Sequence, residues 1–277
     1  MNLKSLSQQI RIKESFLCVG LDIDLSKIPI HILDQKDPIF VFSKSIIDAT
    51  HKYAIAYKPN LAFFEAYGIK GWKAFEKTID YLKKNYPNHF IIADAKRGDI
   101  GNTSGRYAKA FFENYGVDAV TISPYMGRDS IEPFLSFKDK YAVLLALTSN
   151  EGSRDFQYIE EKGVPVYEKV LRLSKKFKNS HKLMYVVGAT KSENLKSIRK
   201  IVPDSFLLIP GIGAQGGNLK DVVRNGINSN CGLIVNSSRG IIYASQGNDF
   251  SEKAAEKAFE LQKEMSEYLK LFNVTLH

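Results

Sequence analysis

Ile91-Ile92-Ala93-Asp94-Ala95-Lys96-Arg97-Gly98-Asp99-Ile100 is an apolar run that ends in an acid, a base two residues on, and a second acid three residues after that. On a strand, side chains alternate between faces, so Asp94 and Lys96 are expected on the same side. Asp99 falls beyond Gly98, where the chain is free to turn. Two carboxylates around one ammonium at the mouth of a buried strand are costly to build, because charges taken out of water must be paired. In isolation a D-x-K reads as a structural ion pair capping a strand, since such pairs also perturb ionisation. Its neighbours along the chain decide whether it does more.

The same kind of run recurs. Phe16–Ile23, Ala54–Pro59, Phe90–Lys96, Ala119–Ser123, Tyr141–Thr148, Leu183–Gly188, Phe206–Pro210 and Gly232–Asn236 are rich in Val, Ile, Leu and aromatics. They read as buried parallel strands. Between them, apolar residues fall at helical spacing: Trp72, Phe75, Ile79 and Leu82, then Tyr107, Ala110, Phe111 and Tyr115 with Gly116 as C-cap, and Leu195, Ile198 and Ile201 stopped by Pro203. The weakest helix is Ser130 to Phe137, which is short and contains Pro133. The tail opens with Asp249 and Glu252, a capping-box variant. Eight strand–helix units in 277 residues predict an α/β fold of the (β/α)8 TIM-barrel type, one domain over residues 1–277 with helical extensions at both ends. A doubly wound open sheet is the alternative, but Gly20-Leu21-Asp22-Ile23-Asp24 is not the Gly-rich fingerprint expected after its first strand. The longest irregular piece, Ser149 to Pro165, has the length of a functional loop.

Composition narrows the partners. A net charge of +9 could attract polyanions, yet the lysines (Lys73, Lys77, Lys83, Lys84; Lys169, Lys175, Lys176, Lys178) lie among acids on helix-like segments. That pattern favours a small anionic ligand over nucleic acid. Cys18 and Cys231 sit in or beside apolar runs, which fits reduced thiols and a cytoplasmic location. The start, Met1 to Ser15, lacks the apolar core of a signal peptide, and no run approaches membrane-spanning length. His31, His51, His89, His181 and His277 avoid strand ends and lack ligand spacing, so each reads as a surface or helix-end residue and no metal site is expected.

In a barrel, the active site lies at the C-terminal ends of the strands. The runs end, in order, at Asp22; Lys58-Pro59-Asn60; Asp94 and Lys96, with Asp99 beyond; Ser123-Pro124-Tyr125; Thr148-Ser149-Asn150; Pro210 to Gly217; and Asn236-Ser237-Ser238-Arg239-Gly240. Two lysines and two acids on one rim point to a shared site. Gly211–Gly217 precedes a helix, and Ser238-Arg239 follows the next strand, so these two loops are the expected phosphate grip. Asp24 reads as a solvated loop acid, Cys18 as core, and Arg97 as serving either the site or the surface.

Asp94-Ala95-Lys96-Arg97-Gly98-Asp99-Ile100 resembles the signature of orotidine 5′-phosphate decarboxylase, in its bacterial type 2 branch. So do Val19-Gly20-Leu21-Asp22, Tyr57-Lys58-Pro59-Asn60, Ala62-Phe63-Phe64-Glu65, Leu147-Thr148-Ser149-Asn150, Pro210 to Gly217 and Ser238-Arg239-Gly240. The resemblance implies a homodimeric barrel, without metal or organic cofactor, that converts orotidine 5′-phosphate to uridine 5′-phosphate (UMP) and CO2 in de novo pyrimidine synthesis. It implies Lys96 as proton donor to C6, and an alternating charge array of Lys58, Asp94, Lys96 and Asp99, with Asp99 reaching in from the other subunit. Asp22 and Lys58 would bind ribose hydroxyls, helped by Thr103 across the interface. Ser149 would read the pyrimidine amide edge, and Gln215, Ser238 and Arg239 would serve the phosphate. Two rivals share part of this pattern. Metal-dependent sugar-phosphate decarboxylases and aldolases resemble it at Asp94 and Lys96 but are expected to carry an acid at position 58. A non-catalytic nucleotide-binding barrel would have little use for Asp94, Lys96 and Asp99 together.

Overall fold

The computed structural model describes residues 1–212 and 217–275. Every one of the eight apolar runs forms a strand: β1 (Leu17–Leu21), β2 (Ala56–Pro59), β3 (Phe90–Arg97), β4 (Ala119–Ile122), β5 (Tyr141–Leu147), β6 (Leu183–Val187), β7 (Leu207–Pro210) and β8 (Leu233–Ser237). They close into a barrel in the order β1-β8-β7-β6-β5-β4-β3-β2, which excludes the open doubly wound sheet. Pairing is parallel and in register where β1 meets β2, with Val19 opposite Tyr57 and Gly20 opposite Lys58. Between β5 and β6 the register shifts at Leu145 and Leu147. Parallel strands covered on both faces need apolar residues at successive positions, which is why the runs are continuous.

The chain divides into two compact units. The first holds residues 1–95, 115–117 and the chain from Asn236 onward; the second holds 96–114 and 118–235. In the first, Phe16, Leu17, Val19 and Leu21 are buried with Phe42, Ile46 and Ile47 of the helix Pro38–Thr50 and Phe75, Ile79 and Leu82 of the helix Gly68–Asn85. Each such side chain contributes about 1.5–3 kcal/mol of burial. Trp72 stacks on Tyr115 instead of entering that core. The N-terminal extension is the helix Leu3–Lys13, capped by Asn2, whose Oδ1 accepts from Ser5 N at 2.8 Å. The C-terminal extension is the helix Phe250–Leu271, but the expected capping box does not form: Asp249 Oδ1 accepts from the Ser245 hydroxyl at 2.6 Å.

His89 corrects the expectation of a surface residue, since it is buried at the start of β3. Lys13 Nζ donates to His89 Nε2 at 2.7 Å and to the carbonyls of His51 and Ala54 at 2.6 and 2.8 Å. The ring also faces two carbonyls, with Nε2 2.9 Å from His51 O and Nδ1 3.2 Å from Tyr86 O. Burial and the adjacent Lys13 ammonium push His89 down to about 4, and burial pushes Lys13 down to about 8.

In the second unit the core is Val120, Ile122, Val143, Leu144, Leu147, Met184, Val187, Leu207 and Ile209. The helix expected over 103–115 begins at Gly101, runs to Lys109, and continues from Ala110 to Tyr115 as a π-helix. Gly116 follows with φ +75°, as a C-cap should. Pro133 is accommodated inside the short helix Arg128–Leu135. The loop from Ser149 to Pro165 is not irregular throughout. It contains a 3-10 turn, Glu151–Asp155, and a two-residue ladder of Glu160–Glu161 with Val164–Pro165.

Candidate active site

Lys58 on β2 and Asp94 on β3 form a buried ion pair, with Nζ 2.8 Å from Oδ2 and side-chain exposures of 5% and 10%. Burial opposes the lysine's charge, but the carboxylates of Asp94 and Asp22 outweigh it and hold the ammonium well above the usual lysine range. The same surroundings keep Cys18 a neutral thiol, pushed up to about 12 chiefly by burial. Asp22, just past β1, has Oδ1 buried without a hydrogen-bond partner among the described residues. Its backbone is tied down, because the Tyr243 hydroxyl donates to Asp22 O at 2.6 Å and accepts from Asp24 N at 2.7 Å. Asp24 closes a local turn on Ser26 and pairs with Lys27 at 3.1 Å, as its reading as a loop acid implied. At the end of β8, Asn236 is buried and donates to Ser238 Oγ at 3.1 Å, while Arg239 opens a short helix and is exposed. A Cβ at Gly20 would overlap Ser238 Oγ, so only glycine fits where this part of the chain passes β1.

The second unit carries a different corner. Lys96, still within β3, is exposed and has φ +46°, outside the extended backbone on which strict alternation of side chains depends. The Lys96 N–H donates to Thr121 Oγ1 at 2.9 Å, and Arg97 O accepts from Ser123 N at 2.8 Å. Arg97, undecided in the sequence, lies over the rings of Tyr107 and Phe111 at 5.4 and 5.7 Å. Asp99 is half-buried and accepts from Ile100 N at 2.8 Å; Thr103 is exposed in the first turn of the helix that follows. Ser149 is half-buried beside Gly188, where any Cβ would collide with it. Gln157 was not singled out from the sequence. Its amide oxygen accepts from Thr148 N and its amide nitrogen donates to Thr148 Oγ1, both at 2.8 Å, clamping the loop back on its root.

The glycine-rich segment does precede a helix, Leu219–Gly226, which Asn218 caps by accepting from Lys220 N at 2.8 Å. Gln215 lies outside the described residues. Among the described residues no three His, Cys, Asp or Glu side chains gather as a metal ion would need. Among the described residues no helix is long and apolar enough to cross a membrane.

The fold and these strand ends define the class: a (β/α)8 barrel with ionisable residues where barrel enzymes keep their active sites. Comparison with known proteins narrows it. The model of the orotidine 5′-phosphate decarboxylase / HUMPS family matches residues 15–255. A Flavobacterium johnsoniae relative named orotidine 5′-phosphate decarboxylase is 62% identical over 269 residues, 97% of this chain and 98% of its own length. One from Bacteroides fragilis with the same name is 59% identical over 271 residues, covering 98% and 99%. Among solved structures, Leishmania donovani OMP decarboxylase aligns with TM-score 0.79 at 34% identity over 95% of this chain and 100% of its own. Leishmania donovani UMP synthase aligns with TM-score 0.81 at 35% identity; the alignment covers 95% of this chain but only 57% of that longer one. The chain belongs to the orotidine 5′-phosphate decarboxylase / HUMPS family.

Proposed function

We propose that this chain decarboxylates orotidine 5′-phosphate to UMP and CO2, as a cofactor-independent carboxy-lyase of pyrimidine biosynthesis working in the cytoplasm. The observation that carries this reading is the buried Lys58–Asp94 pair at 2.8 Å. The family's metal-dependent rivals are expected to hold an acid at position 58, and a buried lysine held charged by two aspartates suits substrate hydroxyls instead. The buried, unpartnered Oδ1 of Asp22 supports the same use, since a buried acceptor left unsatisfied costs about 1–3 kcal/mol. A ribose hydroxyl would satisfy it.

Loss of CO2 leaves an electron pair at C6 of the pyrimidine with no conjugated sink. In our reading the Lys96 ammonium stabilises that pair and then delivers its proton to C6, combining electrostatic and general-acid roles. Asp94 and Asp99 keep the ammonium charged and oriented. Ser149 reads the pyrimidine edge, and Gln215, Ser238 and Arg239 take the phosphate, whose binding energy holds the reacting centre in place. The working enzyme is a homodimer in which Asp99 and Thr103 serve the partner's site. Exposed Ile100 and Tyr107, close in sequence to both residues, support a second copy as the cover. One barrel domain spans the chain, with the two terminal helices as extensions. The test is to mix the protein with orotidine 5′-phosphate and excess chelator and follow the pyrimidine absorbance. Conversion to UMP is expected; activity lost to the chelator would remove the cofactor-free claim, and no change with or without it would reject the reaction.

A further inference from the structure

Lys96 is an exposed side chain on an uncommon backbone. A residue with a Cβ at φ +46° sits in the left-handed region, which neighbours must hold in place. In a regular parallel ladder its N–H would be taken by a carbonyl of the adjacent strand. Here the acceptor includes a side chain, Thr121 Oγ1 of β4, at 2.9 Å. Thr121 is buried, at 1% exposure, so this bond is shielded from water. The corner is closed on its far side by Ser123 N, which donates to Arg97 O at 2.8 Å. Beyond that, a Cβ at Gly98 would stand 3.3 Å from the Ser123 Cβ, leaving the turn little room to shift. Arg97 is braced by the Tyr107 and Phe111 rings. The Lys96 side chain is exposed, and its backbone corner sets where that side chain starts from.

We infer that Thr121 is a positioning residue for Lys96: its buried hydroxyl, by accepting the Lys96 N–H, holds the left-handed corner from which the ammonium is presented to the substrate. This rests on the functional reading above. Thr121 touches no reacting atom, and its effect passes through Lys96. A displacement of ~1 Å at a reacting group costs ~100-fold in rate, so losing the acceptor should be read in kcat and not in ligand affinity.

The test compares Thr121→Val, which keeps the shape and removes the hydroxyl, with Thr121→Ser, which keeps the hydroxyl. Wild-type turnover of orotidine 5′-phosphate is measured first; if it is absent, the functional reading fails, and the hydrogen bond is still examined by exchange of the Lys96 amide proton in the wild-type protein. Thr121→Val is expected to lower kcat ~10–100-fold with KM and UMP affinity within ~2-fold, and Thr121→Ser to restore most of the rate. The Lys96 amide should exchange slowly. Unchanged kcat in Thr121→Val would overturn the inference. So would equal losses in the Val and Ser variants, which would trace the effect to packing, and so would a parallel loss of UMP affinity. If Thr121→Val does not fold, Thr121→Ala takes its place, and fast exchange of the wild-type Lys96 amide overturns the inference without any variant.

Discussion

The Lys58–Asp94 pair and the Lys96–Asp99 corner are both charged ends of barrel strands, but they are built in opposite ways. Lys58 and Asp94 are buried and already paired at 2.8 Å, so each is fixed by the other and by the apolar strands around it. Lys96 is exposed, and its backbone is held in a left-handed φ, with a hydroxyl on its N–H and a neighbour's amide on the next carbonyl. One lysine is therefore part of the fold's stability. The other is exposed at the barrel rim on a strained backbone.

The widest test of that contrast is exchange of subunits. Lys96→Ala and Asp99→Ala should each lose at least ~10³-fold in turnover, and an equal mixture should regain about one quarter of wild-type activity, because an isologous heterodimer holds one site with both residues intact. No recovery would confine Asp99 to its own subunit's site. Next in size is stability. Lys58→Ala removes an ammonium from beside buried Asp94 and should cost about 3–5 kcal/mol in denaturant unfolding, whereas Lys96→Ala should leave the midpoint nearly unchanged. Equal losses would erase the distinction between the corners.

A third prediction uses a buried pair outside both corners. His89 is held down at about 4, so between about 6.5 and 4 the unfolded chain binds a proton that the folded chain refuses. Stability should therefore fall on acidification through that window, by up to about 3 kcal/mol from this group, and His89→Gln should flatten the dependence. The smallest effect is at the loop. Gln157→Ala removes both bonds to Thr148 and should raise KM ~3–10-fold with kcat less affected, each lost bond being worth ~1 kcal/mol.

The barrel was legible because buried parallel strands write themselves as continuous apolar runs, and all eight did so. The same pattern placed the acids and lysines at the strand ends, and the structure pairs two of them, Lys58 and Asp94. Lys96's backbone was not legible, since nothing in Ala95-Lys96-Arg97 marks a left-handed residue, and Thr121 within Ala119-Val120-Thr121-Ile122 looks like one more strand residue. His89 was misread because its partner, Lys13, lies 76 residues away, beyond any local pattern. The capping box at Asp249 failed to a local competitor, the Ser245 hydroxyl, and Gln157 was hidden because its clamp depends on how the loop folds back.

The most direct measurement is the turnover of orotidine 5′-phosphate by Lys96→Ala beside its affinity for UMP. If Lys96 is the proton donor on a fold it does not hold together, turnover should fall by more than ~10³-fold, while UMP still binds within a few-fold and unfolding is unchanged. Near-normal turnover in that variant would contradict the account.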